Sequence, residues 1–572
     1  MPTIAELIVT ALADHGVTSV WGVVGDALNP VTDGIRREDR IEWIGVRHEE
    51  AGAFAVSAQA QLTGQLGVCM GTVGPGAIHL LNGLYDAAKS HAPVLAIIGQ
   101  VPREDIGSDF FQEVDNDSVF ADVAVFNRTV TSADQMPEML EQAVNAALTE
   151  RGVAVLSIPG DVGALEVPDH TLRFVRPPVP AAADGGEVEA IARVLNDAAS
   201  VTLLVGQGAA DARDEVLHVA ETLAAPMVLT LKAKAPFDNE NPYEVGQSGL
   251  LGNHASAVAF DGCDVLLMLG TDFPYRNFYP EGKTVIQIDR VGRHIGRRTR
   301  VDHGLVGDVG ATLSALIPFL EKKTDRGHLD KARHSYEHWT ARQAELADPA
   351  YESKPKGLLR RHVDNPSHRV RPEAVGAAVN RYAADDAIFT SDTGMSTVWL
   401  ARFVRMHTNR RLVGSYNLGS MANAMPQALG ASALDRSRHV VAFCGDGGLS
   451  MLMGDLITAV AHKLPVKIIV FDNGRLGMVK LEMEQVGLPE FGTVLHNPDF
   501  SAVAQAVGMR GFRVESASEL DDSIREAFAT EGPVLIDVLT NPDEIAIPPK
   551  PSLEQMKGFA IAKSREFVDS AE

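Results

Sequence analysis

The residues best suited to chemistry in this chain are the run Gly445-Asp446-Gly447-Gly448, which directly follows an apolar stretch. Glycines after a strand let the backbone approach a ligand closely, and the start of a following helix offers free N–H groups to an anion. A second apolar stretch ends at Asp472-Asn473. Because a carboxylate and an amide oxygen at neighbouring strand ends are hard ligands, this pattern predicts Mg²⁺ shared with phosphate oxygens.

A second group of titratable residues is Arg47-His48-Glu49-Glu50. By spacing alone it is an ordinary charged cluster, typical of a solvated helix start, and His48 and Glu50 fit capping or surface positions. A bare Gly-Asp-Gly also marks turns. The strand–helix–strand context around Asp446 is what favours a ligand site there over a turn.

The elements around these residues must position them. Along almost the whole chain, short apolar runs alternate with helical patterns. Runs that are apolar at every position suit parallel strands covered on both faces. This predicts an α/β fold whose ligands lie at the carboxyl ends of the strands. The predicted strands are 94–98, 153–158, 201–205, 264–269, 284–288, 439–443, 466–471 and 533–538.

Two shifts in composition predict linkers. One is the stretch 175–187, rich in Pro, Ala and Gly, and the other is the charged, strand-poor stretch 321–372. Cutting there gives three domains, the first and third similar in size and rhythm but without an obvious repeat of residues. The predicted bounds are 1–180, 188–345 and 358–545, with a tail at 546–572.

The composition excludes several classes of protein. The 572 residues carry 51 Lys and Arg against 75 Asp and Glu, a formal charge of −24, so nucleic acid is not expected as a partner. The cysteines, Cys69, Cys263 and Cys444, have no CxxC spacing and fit a reducing compartment rather than a metal cluster. The N-terminus does not resemble a signal peptide, and no apolar run is long enough to span a membrane, which predicts a cytoplasmic protein.

The motifs and their surroundings resemble the thiamine-diphosphate-dependent pyruvate oxidases over essentially the whole chain except its tail. Within that family the resemblance is strongest to the bacterial pyruvate dehydrogenases that reduce quinone. The family usually ends its motif Asn-Asn, where this chain has Asp472-Asn473. The segments that carry the resemblance are RHEEAGAFA (47–55), GPGAIHLLNGLYDA (74–87), FFQE (110–113), SGLLG (248–252), LGTDFPYRNFYP (269–280), GSMANAMPQALGA (419–431) and LGMVKLEME (476–484).

The resemblance implies three doubly wound parallel-sheet domains: pyrimidine-binding, central FAD-binding and diphosphate-binding. It also assigns the thiamine diphosphate site. Glu49, kept from water, would hydrogen-bond the pyrimidine ring and favour the tautomer that removes the C2 proton. The Mg²⁺ ligands would be Asp446, Asn473 and the backbone carbonyl of Arg475. The pyrimidine edge would be bound by Gly419, Ser420 and Met421, with Met421 bending the cofactor. The diphosphate and thiazolium would be lined by Gly447, Gly448, Gly474, Arg475, Leu476, Gly477, Met478 and Val479.

Three further segments match the flavin-contacting parts of the same family, in order. Two of them come at or after the end of a predicted strand, where an acid commonly binds ribose hydroxyls. The resemblance therefore implies a bound FAD. Its contacts would be Ser248, Gly249, Leu250, Leu251, Thr271, Asp272, Phe273, Pro274, Tyr275 and Asp289.

The choice between oxidation and carboligation depends on the segment after Asn473. Acetolactate synthases share its Leu-Gly-Met-Val but carry Trp where this chain has Glu482, and a Glu there resembles the oxidases. The active-site residues implied are Glu49, Met478, Val479, Glu482, Phe111 and Gln112. We expect pyruvate to be decarboxylated to acetate and CO₂ through hydroxyethyl-thiamine diphosphate, with electrons passing through FAD to a quinone. The alternatives are a carboligase or decarboxylase with non-redox FAD, an oxygen-using oxidase, and a noncatalytic nucleotide-binding protein, which the intact motifs disfavour.

The resemblance also implies partners. In the family the two thiamine-binding domains come from different subunits, so we expect a homo-oligomer, usually a tetramer. Quinone-linked relatives have a longer amphipathic C-terminal segment that meets the membrane. The shorter tail here is predicted either to touch the inner face of the cell membrane or to pack on the core as a helix. Without lipid docking, a soluble acceptor or O₂ would take the electrons.

Overall fold

The chain forms three parallel six-stranded sheets, one after another, with helices between the strands. A computed structural model describes residues 1–168, 170, 172–175, 181–351, 354, 365, 368–407 and 409–543. The predicted α/β class with three doubly wound sheets is confirmed. The sheets lie within residues 19–159, 201–306 and 388–539. We call the parts of the chain around them the first, central and third domains.

The first sheet contains β1 (Ser19–Gly22), β2 (Glu42–Gly45), β3 (Gly67–Gly71), β4 (Val94–Gln100), β5 (Ala124–Thr129) and β6 (Val153–Pro159). Its order is β2-β1-β3-β4-β6-β5, so the direction of winding reverses between β1 and β3. Open parallel sheets hold ligands at the carboxyl ends of the strands beside such a reversal. The helices of this domain are Ile4–Asp14, Asn29–Arg37, Glu49–Thr63, Pro75–His79, Leu81–Lys89, Asn116–Val119 and Met136–Glu150.

The central sheet contains β7 (Val201–Val205), β8 (Met227–Leu229), β9 (Glu244–Gln247), β10 (Val265–Leu269), β11 (Thr284–Asp289) and β12 (His303–Val306). Its order, β12-β11-β10-β7-β8-β9, reverses between β7 and β10 and is that of the dinucleotide-binding sheet. The helices of this domain are Gly185–Asp197, Arg213–Thr222, Lys234–Phe237, His254–Gly262, Val309–Leu316 and Gly327–Ala347.

The third sheet contains β13 (Ile388–Ser391), β14 (Arg411–Gly414), β15 (Val440–Gly445), β16 (Val466–Asp472), β17 (Arg510–Val514) and β18 (Val534–Leu539). Its order, β14-β13-β15-β16-β18-β17, repeats that of the first sheet strand for strand. The helices of this domain are Pro372–Tyr382, Met395–Phe403, Ala424–Leu434, Asp446–Met451, Leu456–Ala461, Gly477–Gln485, Phe500–Ala506 and Ala517–Ala529.

One apolar core joins the first and third domains. Helix Glu49–Thr63 packs on helix Ala424–Leu434 so closely that a Cβ at Gly430 would overlap the Ala55 carbonyl. The Gln59 amide donates to the Gly430 carbonyl across the same contact, at 3.1 Å. Because one helix begins at Glu49 and Met421 shortly precedes the other, this contact sets the relative position of two predicted site segments.

All eight predicted strands are present, with bounds that differ by about two residues at most. Most of the other strands are shorter or less uniformly buried, whereas β3 (Gly67–Gly71) is fully buried but begins and ends with glycine. Glu42–Gly45, for example, is exposed at Glu42, and Arg510–Val514 has one buried residue. Such strands do not have the continuous apolar run that marks a strand covered on both faces.

The prediction of a linker over 321–372 is wrong for the part that the structure describes. Helix Gly327–Ala347 runs through it and buries Leu329, Ala332 and Tyr336. Ala332 and Tyr336 belong to the apolar cluster on one side of the central sheet. These apolar positions at helical spacing stand among so many charged residues that the average composition hides them.

The predicted tail, 546–572, with both proposals for its role, lies outside the described residues. Within the described ranges, no helix is both long enough and apolar enough to cross a bilayer. Cys69, Cys263 and Cys444 are all buried, and each is a free thiol.

Candidate active site

The carboxyl ends of β15 and β16 bring the predicted metal ligands to one edge of the third sheet. The two strands are parallel neighbours in which Gly445 lies opposite Phe471. The next residues, Asp446 and Asp472, therefore leave the sheet side by side, and Asn473 follows. Both aspartates are buried. The sheet register thus produces the juxtaposition that the two motifs predicted.

Asn497 lies between the two aspartates. Its side-chain amide donates to Asp446 Oδ2 and to Asp472 Oδ1, each at 2.8 Å. Asp446 also accepts the backbone N–H groups of Gly447, at 2.9 Å, and of Gly474, at 2.7 Å. Burial, and to a lesser degree the Asp472 carboxylate, raise the pKa of Asp446 to about 6. Two buried acids that repel each other favour the binding of a cation between or beside them.

The backbone at Gly447 and Gly448 has no room for a side chain. A Cβ at Gly447 would lie 2.8 Å from Leu476 Cδ2 and 3.3 Å from Met421 Cε, and one at Gly448 would overlap the Asp392 carboxylate. The structure therefore gathers Met421, Leu476 and the two glycines at one place. A backbone bare of side chains beside oxygen ligands suits a phosphate group.

The loop Gly474–Leu476 is held from outside the predicted motif. Gly474 has φ +68°, a left-handed conformation that favours glycine. The Leu476 N–H donates to the Thr493 carbonyl, and the Leu495 N–H donates to the Gly474 carbonyl, both at 2.8 Å. The Arg475 guanidinium pairs with Glu490, and the Arg475 N–H donates to Asn473 Oδ1 at 2.9 Å. Segment 490–495 therefore sets the shape of the loop.

Glu49 is the first residue of helix Glu49–Thr63 and is only 7% exposed. The solvated helix start that spacing alone favours is therefore wrong for this residue. His48 caps the helix, since its Nδ1 accepts the Glu50 N–H at 3.3 Å. The carboxylate Oε2 of Glu49 lies 2.9 Å from His79 Nδ1, and the His48 and His79 rings stack at 4.3 Å.

The predicted Phe111 and Gln112 lie on a loop beside the Glu49 pocket. A Cβ at Gly74 would lie 2.6 Å from the Gln112 carbonyl, and one at Gly76 would lie 3.1 Å from Glu49 Oε1. The loop that carries Gln112 and the Glu49 side chain therefore meet around residues 74–76. Phe111 is 79% exposed, so its ring is available to a ligand or another chain.

A polar bridge connects the start of the Glu49 helix to the predicted pyrimidine segment. The Asn82 amide donates to Glu50 Oε1 at 2.7 Å and to Ser420 Oγ at 3.0 Å. Gly419 precedes Ser420 with φ +82° and donates its N–H to the Ser415 carbonyl. Among the described residues no hydrogen bond joins Glu49 itself to Asp446 or Asn473.

One of the predicted flavin segments, which begins at Thr271, lies at the reversal of the central sheet. The Gly208 N–H donates to the Gly270 carbonyl at 2.9 Å, and a Cβ at Gly206 would overlap Gly270. Thr271 follows directly, and Asp289 ends the neighbouring β11 with its carboxylate 3.5 Å from His294. Two glycine loops and a buried acid at such a reversal are the parts of a dinucleotide site.

Asp272 belongs to a charged network that crosses from the central to the first domain. Its carboxylate accepts from His91 Nε2 at 3.0 Å and pairs with the Arg297 guanidinium. Burial alone would raise the pKa of Asp272, but the hydrogen bond from His91 and the charge of Arg297 hold it below its ordinary value. The residue is thus an anion tied to both domains.

The central and third domains meet where the predicted flavin and thiamine segments lie. Burial, and after it the negative charge of Glu482, raise the pKa of the Tyr275 phenol. Leu251 and Met478 pack against the same apolar core of the third domain. Gly249 lies against the rings of Phe273 and Tyr275, which joins the two predicted flavin loops. Val479 and Glu482 are exposed on helix Gly477–Gln485.

Four parts of this arrangement were not found from the sequence. His79 stands within a segment quoted for the resemblance but was not selected. Asn497 and Asp392 lie outside every motif, and nothing local marks them. The fourth, Gly206-Gln207-Gly208 after β7, carries a weak signal, because a Gly-x-Gly after an apolar strand is typical of a nucleotide loop.

Three family models match the chain over most of its length. They are the thiamine pyrophosphate enzyme N-terminal TPP binding domain over residues 2–119, the central domain over 188–316 and the C-terminal TPP binding domain over 392–538. The chain belongs to the thiamine pyrophosphate enzyme family. The resemblance carried by the motifs is confirmed, and this family member is an enzyme that depends on thiamine diphosphate.

Relatives cover nearly the whole chain. YdaP of Bacillus subtilis (strain 168) is 37% identical over 99% of this chain and 96% of its own. A pyruvate oxidase of Lactiplantibacillus plantarum is 32% identical, covering 94% of this chain and 88% of its own. An acetolactate synthase of Mycobacterium bovis is 31% identical with the same two coverages. Overall identity therefore does not separate oxidase from synthase.

Proposed function

We propose that the enzyme oxidises pyruvate to acetate and CO₂ and passes the electrons through FAD to a quinone. The net half-reaction is pyruvate plus water giving acetate, CO₂, two protons and two electrons. The relative named pyruvate oxidase supports pyruvate as the substrate. The observation that carries the proposal is the nearness of the predicted flavin and thiamine segments: Leu251 and Met478 pack against one apolar core, and the charge of Glu482 acts on Tyr275.

The third-sheet edge fits a Mg²⁺–diphosphate group. The carboxylate of Asp446, the amide of Asn473 and the backbone carbonyl of Arg475 are the hard oxygen donors that Mg²⁺ prefers. At Gly447 and Gly448 the backbone packs closely against Leu476, Met421 and Asp392, and Asn497 holds Asp446 in place. When bound, thiamine diphosphate supplies a carbon nucleophile and an electron sink for decarboxylation of a 2-oxo acid.

The Glu49 carboxylate would exchange a proton with the pyrimidine nitrogen. Its burial excludes competing water, and His79 holds the carboxylate at 2.9 Å in one orientation. Gly76 permits the close approach of its own loop to the same carboxylate. Phe111 and Gln112 from the first domain, with Val479 and Glu482 from the third, would contact the substrate.

The central domain fits FAD. The order of its sheet, the glycine loops at the reversal and the acid at the end of β11 match a dinucleotide site. When bound, FAD supplies a two-electron acceptor. The loops at 248–251 and 271–275 would hold it beside helix Gly477–Gln485, so Met478 would lie between the donor and acceptor sites.

Anaerobic mixing of the enzyme, loaded with thiamine diphosphate, Mg²⁺ and FAD, with pyruvate tests the reaction. We expect the flavin absorbance to bleach and acetate to form. Ubiquinone, menaquinone and O₂ would then be supplied in turn, and a quinone should restore the oxidised flavin fastest. A flavin that stays oxidised while pyruvate is consumed would refute the proposal.

The second candidate is a carboligase, which the acetolactate synthase relatives favour. It would form acetolactate from two pyruvate molecules with no net electron transfer. Glu482 argues against a carboligase. Acetolactate synthases share the Leu-Gly-Met-Val sequence but carry Trp at the position of Glu482. Detection of acetolactate with oxidised flavin in the same anaerobic experiment would select this function.

We further propose a homotetramer, as the resemblance implies, in which the first domain of one subunit faces the third domain of another; the exposed Phe111 is a surface that such a contact would cover. Light scattering of the full chain would give the assembly size. Flotation with liposomes of anionic lipid, with and without pyruvate, would test whether the tail adds a peripheral membrane contact.

A further inference from the structure

We propose that His48, Glu49 and His79 form a second metal site, for a divalent transition-metal ion such as Zn²⁺. It differs from the oxygen-rich edge at Asp446 and Asn473 in both place and chemistry. Imidazole nitrogens suit zinc and its neighbours in the transition series, whereas Mg²⁺ prefers oxygen ligands.

One possible ligand atom from each of the three residues lies within 4.8 Å of the other two. The shortest separation is the 2.9 Å between Glu49 Oε2 and His79 Nδ1, and the two imidazole rings stack at 4.3 Å with an angle of 26°. Zinc–ligand bonds of about 2.0–2.2 Å place tetrahedral ligand atoms roughly 3.3–3.6 Å apart. Because imidazole lone pairs lie in the ring plane and the two stacked rings are nearly parallel, both rings must rotate out of the stack, and the ligand atoms must approach by about an ångström, to hold the ion.

The local structure permits those shifts. The His48 and His79 side chains are 38% and 43% exposed, so both rings can rotate while buried Glu49 stays in place. His48 and Glu49 are consecutive residues at a helix start, and His79 ends the short helix Pro75–His79. Three protein ligands leave a fourth position open to water, as in accessible zinc sites.

Binding must displace existing hydrogen bonds. A neutral imidazole has one lone pair, so ligation by His48 opens its 3.3 Å contact with the Glu50 N–H or changes its tautomer. An ion between Glu49 and His79 replaces the proton that the two side chains share. Metal binding should therefore release protons and weaken as the pH falls.

A bound ion would also affect the binding of thiamine diphosphate, and this inference rests on the proposed function of Glu49. A metal ion on the Glu49 carboxylate would lower its affinity for a proton, so the carboxylate could no longer exchange a proton with the pyrimidine nitrogen, and the ion and thiamine diphosphate would compete. A zinc-class ion would then keep the apoprotein from loading with cofactor, and the apparent metal affinity would fall as the cofactor concentration rises.

The test is a titration of the full-length apoprotein with Co²⁺, which reports a nitrogen-ligated site by its visible absorption, followed by displacement with Zn²⁺. We expect one Co²⁺ per chain, and an affinity at least about 10-fold weaker in both His48→Gln and His79→Gln. The matched control is His91→Gln. His91 lies in the same domain, 42% exposed and 3.0 Å from a carboxylate, but outside the group of three.

Absence of a visible spectrum, or binding that neither variant weakens, would overturn the site. Addition of thiamine diphosphate with Mg²⁺ should remove the Co²⁺ spectrum. If binding depends on the histidines but the cofactor does not compete, the metal site stands and the role of Glu49 toward thiamine fails. The two proposals are thus tested separately.

Discussion

The first and third domains have the same sheet order but carry different residues at the same edge. The residues that follow β1, β3 and β4 are Val23, Thr72 and Val101, whereas those that follow the matching β13, β15 and β16 are Asp392, Asp446 and Asn473. One edge is nearly free of charge and the other is acidic. The comparison teaches that strand topology supplies the place for a ligand and that the residues there decide which ligand it suits.

The acid that the proposed site takes from the first domain comes from a different position. Glu49 begins the helix after β2, and the matching helix of the third domain, Ala424–Leu434, follows the Met421 segment. These two helices pack on each other in the shared core. In the proposed function the first domain would supply the proton-transfer group and the third domain the cation site, although both domains share one sheet order.

The largest effect is expected from the first domain. Glu49→Gln removes the proton-exchanging group, so turnover of pyruvate should fall by about 10²–10⁴-fold while circular dichroism and FAD content stay unchanged. The matched control is Glu50→Gln, the adjacent acid that binds Asn82. Equal losses in both variants would show that the helix start, rather than the Glu49 carboxylate, matters.

The acidic edge of the third domain should affect stability through Asp392. This residue accepts N–H groups of Ala424 and Gly445, and burial raises its pKa to about 7. The folded chain therefore keeps a proton that the unfolded chain loses, so this contribution to stability is complete below about pH 4 and is lost as the pH rises to about 7.

The expected change in the free energy of unfolding follows from the raised pKa of Asp392. A shift of about three units corresponds to roughly 4 kcal/mol. Asp392→Asn should remove this pH dependence of the free energy of unfolding, which urea unfolding at pH 5 and pH 7 measures. The control is Asp385→Asn, whose side chain is 80% exposed. If the stability of Asp392→Asn changes with pH as much as that of the original protein, a group other than Asp392 causes the pH dependence.

The third prediction concerns the cation. Asp446→Asn replaces a charged ligand with a neutral one, so Mg²⁺-dependent binding of thiamine diphosphate should weaken by about 100-fold. Calorimetry of the apoprotein measures this. If affinity is kept, the acidic edge does not hold the metal, and the contrast between the two domains loses its functional meaning.

The smallest effect is expected from Asp472→Asn, which restores the Asn-Asn pair usual in the family. The Asp472 carboxylate contributes to the raised pKa of Asp446, which must be ionised to bind Mg²⁺. Without it, cofactor binding should persist to a lower pH, by up to about one unit. A shift to higher pH would contradict this account.

The α/β class and eight of the strands were predictable because a strand covered on both faces leaves a continuous apolar run. The juxtaposition of Asp446 with Asp472-Asn473 was also predictable, since parallel neighbours end at one edge. Helix Gly327–Ala347 was missed because its few apolar positions stand among charges.

Local patterns and motifs were enough to predict the α/β class and the acid-bearing strand ends and, through the resemblance, the family. The contacts of Asn497 with two aspartates and of His79 with Glu49, and the common order of the first and third sheets, are properties of the folded chain. Sheet order and side-chain contacts between distant segments follow from backbone pairing and shared burial, which no short stretch of residues encodes.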